Sequence, residues 1–296
     1  MSLPSDAALG ALGALGSAGT WAVTSLLVRR LAPVLNSVSV NAIRSTLGGL
    51  LLLGWVVVTG GTAGLAAISP RAFGLLAVSI ILAIGIGDTV FFESTRSLGL
   101  ARAMTVSMTY PPIAALLAAA LLGESITLPV MAGSLLTLGG LVLIVAGRSE
   151  EPVARRRFWA GVGAATLASV AWAVSVVALK FPLAEMDATT AQAVRLPVAG
   201  VLLWATPWAW SAVGRMRTGS RATIRSVAVL SVLTAVSSVM FVAGVKYAGV
   251  AVATVLSSTA PMFAIPLGAI FLRERLAPTA ILGTAATVAG IAVLQL

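Results

Sequence analysis

Apolar residues run along this chain in blocks of about twenty, separated by short clusters of charge, proline and glycine. A helix rising 1.5 Å per residue needs about twenty apolar residues to cross the hydrocarbon core of a bilayer. Cutting the chain on that length predicts ten spans. Spans 1 to 5 are Ala8–Val28, Val38–Val58, Ala72–Ser97, Ala101–Leu122 and Leu128–Ala146. Spans 6 to 10 are Trp159–Leu179, Ala188–Trp210, Ser226–Tyr247, Val250–Leu272 and Pro278–Leu296. The alternation of period two that marks a membrane β-barrel is absent. Helices, which satisfy their own backbone groups, are the form expected in lipid.

The pattern repeats. Trp21-Ala-Val-Thr returns as Trp172-Ala-Val-Ser and Arg44 returns as Arg195, both 151 positions later. Phe91, Arg96, Pro111, Glu124 and Gly140 return as Phe241, Lys246, Pro261, Glu274 and Gly290, all 150 positions later. An offset that drifts by one residue over this length points to duplication. The halves are residues 1–147 and 158–296, joined by the polar linker 148–157. Five spans per half is an odd number, so the second half enters the membrane upside down. Inverted repeats are a common transporter architecture, with the substrate near the midplane where the repeats meet. The expected fold is therefore an all-α membrane protein of ten transmembrane helices in two inverted five-helix repeats.

Composition agrees. Hydrophobic residues make up 59% and charged residues 9% of the 296 positions, against about 25% charged in soluble domains. There is no Cys and no His. That removes thiol chemistry, the usual zinc ligands and the ordinary base of a serine hydrolase. No metal site, cofactor or phosphate-binding loop is expected. The net charge of +10 lies mainly between the apolar blocks, which favours topology signals over nucleic-acid binding. Loop alternation places Arg29, Arg30, Arg96, Arg102, Arg148, Arg155, Arg156, Arg157, Arg215, Arg217, Arg221, Arg225, Arg273 and Arg275 on one side. Arg71, Lys180, Lys246, Glu124, Glu185 and Asp187 fall on the other. The positive-inside rule makes the first side cytoplasmic and both termini external. The first block carries Asp6, lacks a basic start and is long enough to span, so it is expected to remain as a helix.

Ionisable residues inside a span are costly and are candidate functional groups. Asp88 lies about nine residues, or roughly 13 Å, before the end of span 3, and is a candidate for proton exchange. The alternative is a structural hydrogen bond to a neighbouring span. Its equivalent is Ser238. Glu93 could act on a substrate or a proton, or pair locally with Arg96 three residues on. Arg44 and Arg195 suit a carboxylate or phosphate clamp, but their positions early in spans 2 and 7 favour snorkelling to the interface. Pro111 and Pro261 should break spans 4 and 9, leaving Ser107, Tyr110, Ser257 and Ser258 beside the breaks as hydrogen-bonding groups. Trp21 and Trp172 lie mid-span and either line a cavity or pack as core. Trp159, Trp204, Trp208 and Trp210 read as interface residues. Gly10, Gly13 and Gly16 form a stripe suited to close helix contact.

Several of these residues also carry a resemblance. Gly87-Asp88-Thr-Val-Phe-Phe, then Arg96-Ser-Leu-Gly-Leu-Ala, Tyr110-Pro111-Pro112 and Leu122-Gly123-Glu124, followed by Lys246-Tyr-Ala-Gly-Val-Ala, Ala260-Pro261 and Arg273-Glu274-Arg275, resemble the drug/metabolite transporter superfamily and its ten-helix EamA-type members. The likeness covers nearly the whole chain. It implies a basket of helices around a central cavity that works by alternating access on amino acids, other metabolites or drugs. The expected function is a secondary transporter, by family analogy an exporter, of a small metabolite such as an amino acid across a bacterial-type plasma membrane. It would be a monomer, with protons as a second partner through Asp88. An exporter of lipophilic cations, an intramembrane enzyme and a non-transporting scaffold are the alternatives.

Overall fold

The computed structural model describes residues 5–98, 103, 106, 107, 109–146, 155–217, 219–260, 262, 263 and 278–293. All regular structure among them is helical. Helix α1 is Asp6–Leu31, α2 Ser37–Val58 and α3 the short Thr62–Ala66. Helix α4, Pro70–Ile80, continues through a π-helical segment, Ile81–Asp88, into α5, Thr89–Leu98. Then come α6 Tyr110–Leu122, α7 Leu128–Ala146 and α8 Arg155–Lys180. Helix α9 is Ala188–Trp204, α10 Pro207–Arg217, α11 Arg221–Ala248, α12 Val250–Ser257 and α13 Pro278–Val293.

Five helices among the described residues are long and apolar enough to cross a membrane: Asp6–Val28, Ser37–Val58, Pro70–Leu98, Arg156–Ala184 and Arg221–Ala248. Three shorter apolar helices, Tyr110–Leu122, Leu128–Leu143 and Ile281–Val293, accompany them. Exposed Leu50, Trp55, Phe73, Leu116, Leu135, Val201 and Ile281 coat the outside, as lipid requires and water would not.

Two expected spans differ. Span 7 was expected unbroken from Ala188 to Trp210, but α9 and α10 meet at 95°. Pro207 cannot donate the next helical hydrogen bond and disfavours the helical conformation at Thr206. Span 4 is interrupted at Thr109, and α6 starts at Tyr110. Pro111 is therefore in a first turn, where its missing N–H leaves no bond unmade, rather than in a helix interior. Pro261 and most of span 9 beyond Phe263 lie outside the described residues, as do Glu274 and the linker residues 148–154. Helix α8 begins at Arg155, within the stretch expected as linker.

Helix starts follow their caps. Asn36 accepts from the Ser39 N–H (2.7 Å) to open α2, and Ser69 accepts from Ala72 (3.1 Å) to open α4. Asp187 opens α9, accepting from the N–H of Thr189 (2.8 Å) and Thr190 (3.0 Å) and from the Thr190 hydroxyl. Partial burial pushes the Asp187 carboxyl up, but these hydrogen bonds outweigh it and hold the group below the usual carboxylate range. The sign follows: the stabilisation is complete above the ordinary carboxylate pKa and is lost as pH falls through the lowered native value. Asp187→Ala should lower stability by about 1 kcal/mol, with the deficit shrinking in acid. Thermal unfolding at two pH values checks both.

Packing exchanges the halves. Helix α1 packs along α11, while α8, the equivalent of α1, packs along α4 and α5, the equivalents of α11. Helix α2 packs on its own equivalent α9, and α7 on α13. At the α2–α9 crossing, a Cβ on Gly49 would lie 2.7 Å from Pro197 N, and one on Gly200 would lie 2.6 Å from Thr46 Oγ1. Gly49 and Gly200 are 151 positions apart, as are Thr46 and Pro197. At the α7–α13 crossing, a Cβ on Gly140 would meet Gly283 O at 2.6 Å and one on Gly290 would meet Gly133 O at 2.8 Å. These four glycines pair at an offset of 150. Equivalent residues thus trade partners at both crossings. Small residues are required there because helices in lipid associate by close packing. The glycine stripe of α1 does the same against α11, where a Cβ on Gly13 would lie 2.8 Å from Met240 O.

One end of the bundle is tied by charge. Glu124 accepts from the Val250 N–H (3.0 and 3.1 Å) and lies 3.7 Å from Lys180 Nζ. Lys180 in turn donates to Val245 O (2.7 Å), near the end of α11. Gly249, with φ +85°, makes the turn from α11 to α12 that brings these ends together.

Candidate functional site

A cavity of ≈ 930 Å³, its open mouth included, lies between the halves. Its wall draws on α1, α2, the π segment, α8, α9, α11, Tyr110 of α6 and Ser257 of α12. Trp21, Arg44, Asp88, Tyr110, Trp172 and Arg195 all line it.

Asp88 ends the π segment and is 6% exposed. π-helical turns are rare and tend to appear at functional positions. The extra residue in this turn leaves Thr89 Oγ1 donating five residues back, to Ile84 O (3.1 Å). The Asp88 carboxylate forms a salt bridge with Arg44 and accepts from the Trp172 indole N–H (2.9 Å), which also reaches Ala83 O (3.2 Å). This joins α2 and the π segment of the first half to α8 of the second. Gly87 makes the approach possible, because a Cβ there would lie 2.5 Å from Trp172 Nε1 and Cδ1.

The snorkelling expected of Arg44 and Arg195 is overturned. They are 2% and 4% exposed, deep inside the bundle. Arg44 is seven residues past the first residue of α2, or about 10 Å along its axis, and the helix is buried against α9 and α11 at that level. Its Nε donates to Asn41 Oδ1 (2.8 Å), and its guanidinium stacks on Trp21 (5.7 Å) and Phe92 (5.9 Å). Arg195 donates to Gln192 Oε1 (2.7 Å) and, through Nε, to Ser79 Oγ (3.0 Å). Asn41 and Gln192 each lie three residues before their arginine, at the same offset of 151. That amide three residues earlier was a legible signal which the sequence reading did not use. Ser79 and Thr234, partners of Arg195 and Arg44 across helices, had none.

The other candidates divide. The Tyr110 hydroxyl pairs with Ser257 Oγ (2.7 Å) and donates to Thr254 O (3.1 Å), and its ring meets Trp172 edge-on at 5.8 Å. Ser257, rather than Ser258, is the wall residue. Ser258 is buried and donates back to Val255 O (2.7 Å). Ser107 is buried but does not line the cavity. Glu93 is outside it as well. Its side chain is 61% exposed and 3.6 Å from Arg96, because five residues of helix turn it well away from Asp88. Trp159, Trp208 and Trp210 are exposed, but Trp204 is half-buried and donates to Thr46 Oγ1 (3.0 Å). Phe91 and Phe92 line a second cavity, and Trp21 of the first cavity's wall stacks on Phe92 (6.2 Å).

Among the described residues, no cluster of His, Cys, Asp or Glu could hold a metal. The site offers charge, hydrogen bonds and aromatic faces in an enclosed space. Such a site can bind and orient a small polar molecule, and among the described residues no nucleophile–base pair lines it.

A model of the EamA-like transporter family matches residues 8–146 and again 159–296. A protein of Archaeoglobus fulgidus named "Uncharacterized transporter" is 28% identical over 202 residues, 68% of each chain. A solved structure titled "Crystal structure of protein" superposes with a TM-score of 0.77 over 96% of this chain and 94% of its own, at 21% identity, which shows a shared fold. With its two family matches, its apolar helices and its cavity between the halves, the chain is a multi-pass membrane transporter belonging to the EamA-like transporter family.

Proposed function

We propose that the cavity is the substrate site of a secondary transporter for small organic metabolites, amino acids first among them. The observation that carries this reading is the buried cluster of Arg44, Asp88, Trp172 and Arg195 between the halves. Buried charge within a bundle is expensive, and here it surrounds an open space. The ten-helix count and the inverted relation of the halves are part of the same proposal. Equivalent helices trade partners across the bundle, as a two-fold axis in the membrane plane would require. Rocking of one half against the other would open the cavity to each side in turn. The Trp21–Phe92 stack would separate cavity from vestibule on one side, and the Glu124–Lys180 cluster would close the other. Asp88 would carry the proton of a coupled exchange, since its protonation removes the counter-charge of Arg44. Export across a bacterial-type plasma membrane, with both termini outside, completes the proposal.

A thermal-shift screen tests it. The panel holds the common amino acids, their decarboxylated amines and lipophilic cations. A ligand that binds only the folded protein at a hundredfold excess over its Kd adds about 2.7 kcal/mol of apparent stability. At least one amino acid should stabilise the protein, and Ser238→Trp, which fills the cavity from α11, should remove the effect. Stabilisation by cations alone would favour a drug carrier.

A further inference from the structure

The two cavity arginines are equivalent in the duplicated sequence and alike in how they are held, yet only one has a counter-ion. Arg44 faces Asp88. Among the described residues, no carboxylate lies within ion-pairing distance of Arg195, whose two bonds go to the neutral Ser79 and Gln192. Where the second half would need its own carboxylate stands Ser238, whose hydroxyl turns back to Ala235 O (2.9 Å). Among the described residues, two arginines and one aspartate leave the cavity wall with one excess positive charge.

The geometry of Arg195 narrows what could meet that charge. Nε is committed to Ser79 and one NH1 hydrogen to Gln192. The remaining donors are one NH1 hydrogen and both on NH2. Adjacent guanidinium N–H groups match the two oxygens of a carboxylate in a bidentate pair. A guanidinium stays charged, and burying it without a partner is costly. Trp21, Trp172 and Phe241 supply apolar walls to the same cavity.

We infer that Arg195 binds the carboxylate of a monoanionic or zwitterionic organic substrate, and that the lone charge on this side of the cavity selects against cations. This rests on the reading of the cavity as the substrate site. It adds the chemical group by which the substrate is held and the residue that holds it. Asp88, already shared by Arg44 and Trp172, is not required to meet the substrate.

Matched probes test it: acetate, butyrate, benzoate and 3-phenylpropanoate, each against its amide and its amine of equal length. The readout is the unfolding temperature of the purified full chain in detergent, with inorganic phosphate as a further arm. At least one carboxylate should stabilise the protein with a Kd tenfold or more below those of its amide and amine. Arg195→Gln should weaken that binding at least tenfold, and Arg195→Lys should restore part of it. Empty Arg195→Gln should unfold at the same temperature as the parent or higher, because it removes an unpaired buried charge. Stabilisation by the amines, tighter binding of phosphate than of every carboxylate, or no response to any carboxylate would overturn the inference. So would an empty Arg195→Gln protein that unfolds at a lower temperature than the parent. The transport reading stands or falls separately: flux of a substrate without a carboxylate in liposomes would keep it while removing this one.

Discussion

Asp88→Asn should destabilise the protein by about 3–5 kcal/mol, the cost of removing one partner from a buried ion pair. The amide that replaces the carboxylate keeps one acceptor oxygen, enough for the Trp172 indole N–H or for Arg44, and turns an NH2 donor toward the other. The larger loss is charge. Arg44 is 2% exposed, its other polar partners are the neutral Asn41 and Thr234, and it cannot shed its proton. The variant would bury two uncompensated guanidinium groups around one cavity in place of one. The double variant Arg44→Gln/Asp88→Asn removes both charges and should recover most of the loss. A double-mutant cycle on thermal unfolding isolates the pair. Losses that simply add would show that the two residues do not act together.

Gly87→Ala should cost about 1–3 kcal/mol, the range for overpacking a well-filled site, and should also cut the Trp172–Asp88 hydrogen bond. The new Cβ would lie 2.5 Å from the indole. The ring cannot withdraw, because Phe91 (5.3 Å) and Tyr110 (5.8 Å) pack against it. Trp172→Phe, with its smaller ring, should rescue stability in the Gly87→Ala background while leaving ligand binding impaired. Stability is read by thermal unfolding and binding by ligand-dependent shift. A Gly87→Ala protein as stable as the parent would mean that Trp172 is not held where the structure places it.

Most of the helical layout was legible because lipid imposes a length. Spans 1, 2, 5, 6, 8 and 10 match α1, α2, α7, α8, α11 and α13 to within a few residues at most described ends. The bend before α10 had its signal in Thr206-Pro207, but the unbroken apolar composition on both sides hid it. The π segment had no comparable signal, since one extra residue per turn changes hydrogen bonds and not composition. Asp88 could be found because burying a carboxylate is costly wherever its partner lies. The arginines were misjudged because depth was measured along one helix, whereas burial depends on which helices cross it. Glu93 shows the converse: its position in sequence is close to Asp88, but helix rotation turns it out of the cavity. Ser79, Thr234 and Ser257 belong to the site only because distant helices meet there.

Counterflow in proteoliposomes shows whether this cavity carries the substrate across the membrane. Vesicles preloaded with the amino acid or carboxylate that stabilises the purified protein are diluted into a trace of the labelled compound, and uptake is followed. A transient accumulation of label is expected with the parent chain and none with Ser238→Trp, provided that variant unfolds at a normal temperature. Accumulation by Ser238→Trp equal to that of the parent would contradict that role of the cavity, since the substrate would then be crossing by another route.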